Sequence, residues 1–504
     1  MYELYKPLRN RIRQVSLLPS LAAVHSYIQH LQMREPLPPS IETREGFSMA
    51  RKVDKGIFEW DLDILSKELI LNAPVRGTSD FTRWRCFSES VNALRRLEEE
   101  TTSHYPAATN DIFLELYRIA HRQFPWQRGL DQHSLLRYFK IFNSTGVAPI
   151  LEARLGVSTP VLYRLGLALT AAFLNHWAIR PPRADGSAGV LQEEVSRFLA
   201  RFSIAIPALR GEIAATQSYD QGYPYSFNPL RVWPLVQLSV NGGPMVAAPI
   251  PTFLYWRFTE GIYYELCDAP AFGAGFGSAF QSYVGEVLTA ASRGRQVVLP
   301  EQQYYVGKDR KDSIDWILED DSGSVFLECK TKRLRLESKR SIATTGELNQ
   351  DLDAMATFVT QVYKTIVDAK AGCYGHWKWR ETAIYPLIVT LEEWYTFGHR
   401  ILEKVDEQVR LKFSERGLSL ELLDQFPYSI CAVADLERAS RIISEVGVTS
   451  FMSKQFMPEH KYWPMNSVMR DSFPAEMTRV TKALFPDDFG AIHPVLGRDR
   501  GIER

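Results

Sequence analysis

Cysteine is scarce in this chain of 504 residues. Five occur, Cys86, Cys267, Cys329, Cys373 and Cys431, an odd number with no CxxC pair. A disulfide framework is therefore not expected, and a reducing, cytosolic compartment is the expectation. An excess of charge of one sign is also lacking: 59 Lys+Arg stand against 59 Asp+Glu, a formal net charge of zero. That rules out a histone-like polycation and a disordered acidic tail, while leaving room for a local basic patch. No signal-type apolar run opens the sequence MYELYKPLRNRIRQ. The most apolar stretch, 161–179, is broken by Arg164, Asn175 and His176, which suits a buried core helix better than a membrane span. Glycine-rich phosphate loops, GxSxG and HExxH are missing, so an ATP-driven motor has no support.

What is present is ordinary globular composition, 45% hydrophobic and 23% charged. Residues 1–230 read as a mainly helical domain, with apolar repeats such as Ile112, Leu116, Ile119, Ala120 and Leu135, Leu136, Phe139, Phe142. Proline and glycine rise toward 231–260, which reads as a joint. Over 261–400 the order is helix, strand, strand, helix, strand. Phe276, Phe280, Tyr283 and Val287 form a helical stripe, and 313–318 alternates as a strand with Ile314, Trp316 and Leu318 on one face. A turn at 319–324 leads to a second strand over 324–330, then a helix over 346–370 and an all-apolar strand over 385–391, buried on both faces. Residues 401–504 read as a C-terminal α/β extension, strand-like at 428–433 and helical at 436–446, with no assigned role. The fold class expected is α/β, a mostly helical N-terminal half followed by an α/β core.

The chemistry concentrates on the paired strands. In VFLECK, Glu328 and Lys330 share one face, and the short turn brings Asp315 within reach of them. Charges set in apolar strands cost several kcal/mol unless paired or bound to metal. Two close carboxylates make a hard anionic site of the kind Mg²⁺ uses, with the cation keeping several waters. A metal held by Asp315, Glu328 and the Cys329 carbonyl would activate water for in-line displacement at phosphorus. Lys330 would orient that water, help to deprotonate it, or stabilise the developing charge. Five acidic-x-Lys triplets occur, at 309–311, 328–330, 337–339, 368–370 and 459–461, and the one at 328 ends an apolar strand preceded by an aspartate.

Asp315 followed after twelve residues by Glu328-Cys329-Lys330 resembles the PD-(D/E)XK nuclease superfamily, with Ile314 where the motif's name has proline. Glu286 in FGSAFQSYVGEVL resembles the family's first-helix acidic residue, and Gln361 in TFVTQVYK lies on the helix that follows the motif. The resemblance covers about 260–400. It implies a restriction-endonuclease-like core with a mixed central sheet flanked by helices. It also implies a Mg²⁺-dependent deoxyribonuclease, with Mn²⁺ able to substitute, acting on double-stranded DNA. The run KTKRLRLESKR supplies Lys332, Arg333, Arg335 and Lys339 as phosphate contacts, alongside Gln361. Glu286 would be a further ligand or base, although it sits at the edge of its buried stripe, roughly 80° from the centre. A large helical module fused to a nuclease resembles prokaryotic antiviral defence effectors, which implies a trigger, a homodimer or a partner protein of a defence system. The alternative is a catalytically inactive scaffold or nucleic-acid-binding protein that keeps the fold.

Two tempting motifs carry less. Residues 150–165 imitate a helix-turn-helix, but the second helix is apolar nearly all round and belongs in a core, with Ser158 as N-cap and Pro160 in its first turn. Cys373 and His376 lack the second pair that a zinc site needs.

Overall fold

The computed structural model describes residues 2–42, 48–104, 112–184, 186, 189–220, 222–240, 242–333, 346–394 and 399–492. Its first core is built from helices. Leu17, Leu21, Val24 and Ile28 recur at helical spacing along Leu17–Met33, and all are buried with Leu62, Leu65 and Leu69 of Glu59–Asn72. Glu68 is buried inside this core and is satisfied there, accepting hydrogen bonds from Tyr5, Asn72, Gln217 and Tyr223.

The N-terminal half is not purely helical. It carries a four-stranded sheet, β1 (Ala178–Ile179), β2 (Ser203–Ala205), β3 (Leu235–Val240) and β4 (Gly243–Ala247), in the order β1-β4-β3-β2. Periodicity missed it because β1 and β2 are only two and three residues long. The segment read as a joint supplies β3, β4 and the helix Pro251–Phe258. Its alternation is used twice: Val236, Ala247 and Phe253 enter the first core, while Leu235, Val246 and Phe258 enter the second.

A second, five-stranded sheet has the order β11-β10-β9-β8-β5, formed by β5 (Val297–Pro300), β8 (Trp316–Asp320), β9 (Gly323–Lys330), β10 (Ala383–Thr390) and β11 (Ser429–Ala432). Between β5 and β8 stands a separate hairpin, β6 (Gln303–Val306) and β7 (Asp309–Asp312). The sheet is mixed: β5, β8 and β9 pair antiparallel, whereas β9, β10 and β11 run parallel. Helices cover both faces, as a parallel segment requires. On one side lie α1 (Phe272–Ser292) and α4 (Val433–Val446), whose Phe280, Val284 and Leu436 meet Val325, Leu327 and Val389. On the other, α2 (Gly346–Lys370) and α3 (His399–Glu415) bring Met355, Val359, Val405 and Val409 against Phe326, Ile384 and Ile388. The chain is therefore α/β with mixed sheets. Each wholly buried Leu or Phe contributes about 1.5–3 kcal/mol over its exposed state, which is why β9 and β10 can afford so few polar side chains.

One face assignment is corrected. Trp316 and Leu318 do pack on the α1 side, but Ile314 packs with Ile317 and Phe326 on the α2 side. The alternation breaks because β8 begins only at Trp316, the chain before it bending into the hairpin base. The imitation helix-turn-helix is core, as its apolarity required: Val161, Leu162, Leu165, Leu169 and Phe173 of Thr159–Asn175 are buried. Among the described residues no single helix is long and apolar enough to cross a membrane. Ala148–Leu155 and Thr159–Asn175 pass that test only together, bent by 63°.

Candidate active site

The β8–β9 ladder ends at the pair Trp316–Leu327, so the next opposed positions are Asp315 and Glu328. The chain around Asp315 is pinned from three directions. Glu301 donates its N–H to the Asp315 carbonyl at 2.9 Å, Ser313 and Gln302 exchange bonds at the foot of the hairpin, and Ile314 donates to the Tyr374 hydroxyl at 3.1 Å. The Asp315 Oδ2 then accepts the Cys329 N–H at 2.6 Å, taking the place of a ladder carbonyl. On β9, Lys330 Nζ lies 2.5 Å from Glu328 Oε1, the two side chains 23% and 14% exposed. Its ammonium sits 4.9 Å above the Phe358 ring of α2. Asp315, Glu328, Cys329 and Lys330 are thus brought together where β8 stops and β9 continues.

Electrostatics there are unbalanced. Burial, and next the Glu328 carboxylate, push Asp315 from its ordinary 3.8 up to about 7, with Glu301 adding to the rise and the Cys329 N–H and Lys330 opposing it. Two carboxylates, Asp315 and Glu328, therefore share one ammonium. Burial, with Asp315 and Glu328 adding to it, pushes the Cys329 thiol well above its ordinary value, so it stays protonated; what Cys329 would offer a cation is its carbonyl. Among the described residues no group of three or more His, Cys, Asp or Glu side chains is placed to hold a metal ion. Two carboxylates and a carbonyl nonetheless fit Mg²⁺, which binds through one or two protein carboxylates and keeps water on its remaining positions. A divalent charge would also oppose the burial and the Glu328 repulsion that raise the Asp315 pKa.

A stability prediction follows from the sign of that shift. Between pH 3.8 and about 7 the folded chain retains a proton on Asp315 that the unfolded chain has lost, so this group's contribution to stability falls as pH rises through the window. Asp315→Asn removes the penalty while keeping an oxygen for the Cys329 N–H. The variant should be more stable than wild type at pH 8 by roughly 1–3 kcal/mol, and close to it at pH 4. Urea unfolding at the two pH values measures the difference.

Other expected site residues lie elsewhere. Glu286 pairs with Lys140 at 2.7 Å, and Lys140 also binds Asp488 at 2.8 Å. The helix explains the discrepancy. Gln281 and Gly285 share the α1 face toward β8: the Gln281 carbonyl accepts from Trp316 Nε1 at 2.9 Å, and a Cβ on Gly285 would fall 2.1 Å from the Trp316 ring. Glu286, one residue on, is turned ~100° away. Lys332 is 3.1 Å from the buried Asp351 of α2. Arg333 is turned into the protein: its side chain is 6% exposed, 2.9 Å from Glu392 and 4.1 Å from the Tyr263 ring centre. The sequence run looked like a basic patch because nothing in it shows that the chain leaving β9 turns Arg333 inward against residues 260–264. Gln361 is exposed on α2. Arg335 and Lys339 lie outside the described residues.

Three residues at the site were not read from the pattern: Glu301, Gln281 (whose Nε2 donates to Glu301 at 3.0 Å) and Tyr374. The one available signal was an acid directly after the strand-like 297–300, opposite the strand carrying the aspartate. Comparison with protein-family models, curated proteins and solved structures finds no match.

Proposed function

We propose that the chain is a metal-dependent endonuclease that hydrolyses phosphodiester bonds in DNA, with Asp315 and Glu328 as cation ligands and Lys330 as the catalytic lysine. One observation carries the reading: Asp315 and Glu328 are opposed at a strand end with a lysine ammonium on the second of them. The mixed sheet with α1 and α2 on opposite faces supports a restriction-endonuclease-like core. When bound, a divalent cation supplies a water of lowered pKa and charge on a phosphate oxygen. The protein's part is positional. Asp315, locked by the Cys329 N–H and the hairpin foot, presents its free oxygen beside Glu328. Lys330, steadied over Phe358, donates to the attacking water or to a nonbridging oxygen. Water attacks phosphorus, one ester P–O bond breaks, and the leaving oxygen takes a proton.

Supercoiled plasmid should be nicked in Mg²⁺ or Mn²⁺ and left intact in EDTA, and Asp315→Asn should abolish nicking. Equal cutting by this variant would sink the assignment. Glu286→Ala should cut at the wild-type rate, because Glu286 is engaged with Lys140; a hundredfold loss would return it to the site. A second reading, a fold kept without cutting, draws on the closed Glu328–Lys330 pair. Calorimetry separates the two: Mn²⁺ binding heat abolished by Glu328→Gln favours the nuclease, and no heat for wild type favours the scaffold. For the defence role, plaque counts on cells carrying wild-type or Glu328→Ala protein should differ; identical counts across a broad phage panel speak against it.

A further inference from the structure

At the far end of the five-stranded sheet a cavity of about 390 Å³ opens between the last turns of α1 and α4 and residues 483–484. Its walls carry Arg293, Arg295, Arg441, Ser444 and Glu445. The place is distinct from the carboxylate site. Because β5 runs antiparallel to β8, with Val297 opposite Glu319 and Pro300 opposite Trp316, the chain passes the cavity as it enters β5 and reaches Glu301 only after leaving it. Along α1, Arg293 lies ~18 Å from Gln281 at 1.5 Å per residue.

Helix C-termini attract cations, and that accounts for two of the arginines. Arg295 donates to the Ser444 carbonyl at 3.0 Å, and Arg441 donates to the Val480 and Lys482 carbonyls at 3.1 and 2.7 Å. Arg293 is different. It sits in the left-handed region (φ 49°) directly before Gly294 (φ 79°), so the chain turns sharply to place it. Among the described residues its guanidinium makes no hydrogen bond or ion pair. Burial, and then repulsion from Arg293, lower the Arg441 pKa. The only carboxylate on the described wall, Glu445, is held by Arg479 at 2.6 Å. Positive charge therefore exceeds negative in a concave space whose size falls within the range of small-molecule sites. Guanidinium groups match phosphate oxygens two at a time, and the volume exceeds what a single phosphate needs.

We propose that this cleft binds a phosphate-bearing small molecule of nucleotide size, with Arg293 and Arg295 gripping the phosphates and Arg441 closing the wall between them. The proposal is independent of the nuclease reading. Titration calorimetry on the full chain without divalent cations, so that the carboxylate site repels anions, tests it with inorganic phosphate, pyrophosphate and ATP. Saturable binding is expected, and Arg293→Gln should weaken it at least about tenfold, the effect of losing one charge-assisted contact. Because Arg293 is exposed, this variant should unfold at the wild-type temperature. Asp315→Asn should bind as wild type does. ATP binding more tightly than phosphate supports a nucleotide-sized ligand; equal affinities support the free anion. Absence of heat with all three probes, or unchanged affinity in both Arg293→Gln and Arg295→Gln, overturns the proposal.

Discussion

Lys330→Ala should lower Mg²⁺-dependent plasmid cutting by roughly a hundredfold or more, the usual cost of removing a positioned proton donor or a preorganised charge from a reacting centre. The fold should tolerate the change. Lys330 lies at the end of β9, partly exposed, and its loss leaves the Glu328 carboxylate near solvent rather than sealed in a core. Cation affinity should hold or rise, because the ammonium now 2.5 Å from Glu328 competes for the same oxygen. The decisive comparison is therefore cutting rate against Mn²⁺ affinity in one preparation. Lost cutting with retained binding assigns Lys330 to chemistry. Loss of both assigns it to building the site, and unchanged cutting removes it from the mechanism.

Glu437→Ala should destabilise the protein by about 3–5 kcal/mol, the cost of stranding a buried charge. Arg137 reaches Glu437 through two bonds of 2.7 and 2.9 Å, and Tyr283 adds a third at 2.7 Å. Both charged side chains are about 5% exposed or less. The cluster joins the helix Gln132–Phe142 to α1 and α4, so it ties the N-terminal helices to the sheet that carries the candidate site. Replacing both partners, Arg137→Leu with Glu437→Leu, should recover most of the loss, since an apolar pair leaves no charge uncompensated. Urea midpoints of the two single variants and the double variant give the coupling; additive losses would mean that the bonds contribute nothing as a pair.

How much of this was legible depended on whether the signal was local. The helix at 346–370 and the apolar strand of β10 appear within a residue or two of expectation, because continuous period and buried Ile384, Leu387, Ile388 and Val389 leave little choice. Asp315, Glu328 and Lys330 were legible because a tight hairpin fixes which residues face each other. Glu301 was not: a whole hairpin, β6–β7, intervenes before the chain returns to Asp315, and only tertiary pairing of β5 with β8 closes the distance. Glu286 misled because a helix edge can turn toward either neighbour, and Gly285 against Trp316 fixed the rotation that sends it to Lys140. Arg333 misled because charge in a sequence says nothing about whether Glu392 and Tyr263 wait to bury it.

The parallel register of β9 has a consequence for synthesis. Its partner β8 is already made when β9 emerges, but β10, aligned from Ala383 with Gly323, is translated some sixty residues later, and β11 later still. The first core, by contrast, draws on residues no later than Trp256. On the ribosome the helices of the first core can close while the acidic pair still hangs on an unfinished ribbon, open to water on one flank. The emerging polypeptide therefore acquires its foundation long before the neighbours of Asp315 and Glu328 are complete.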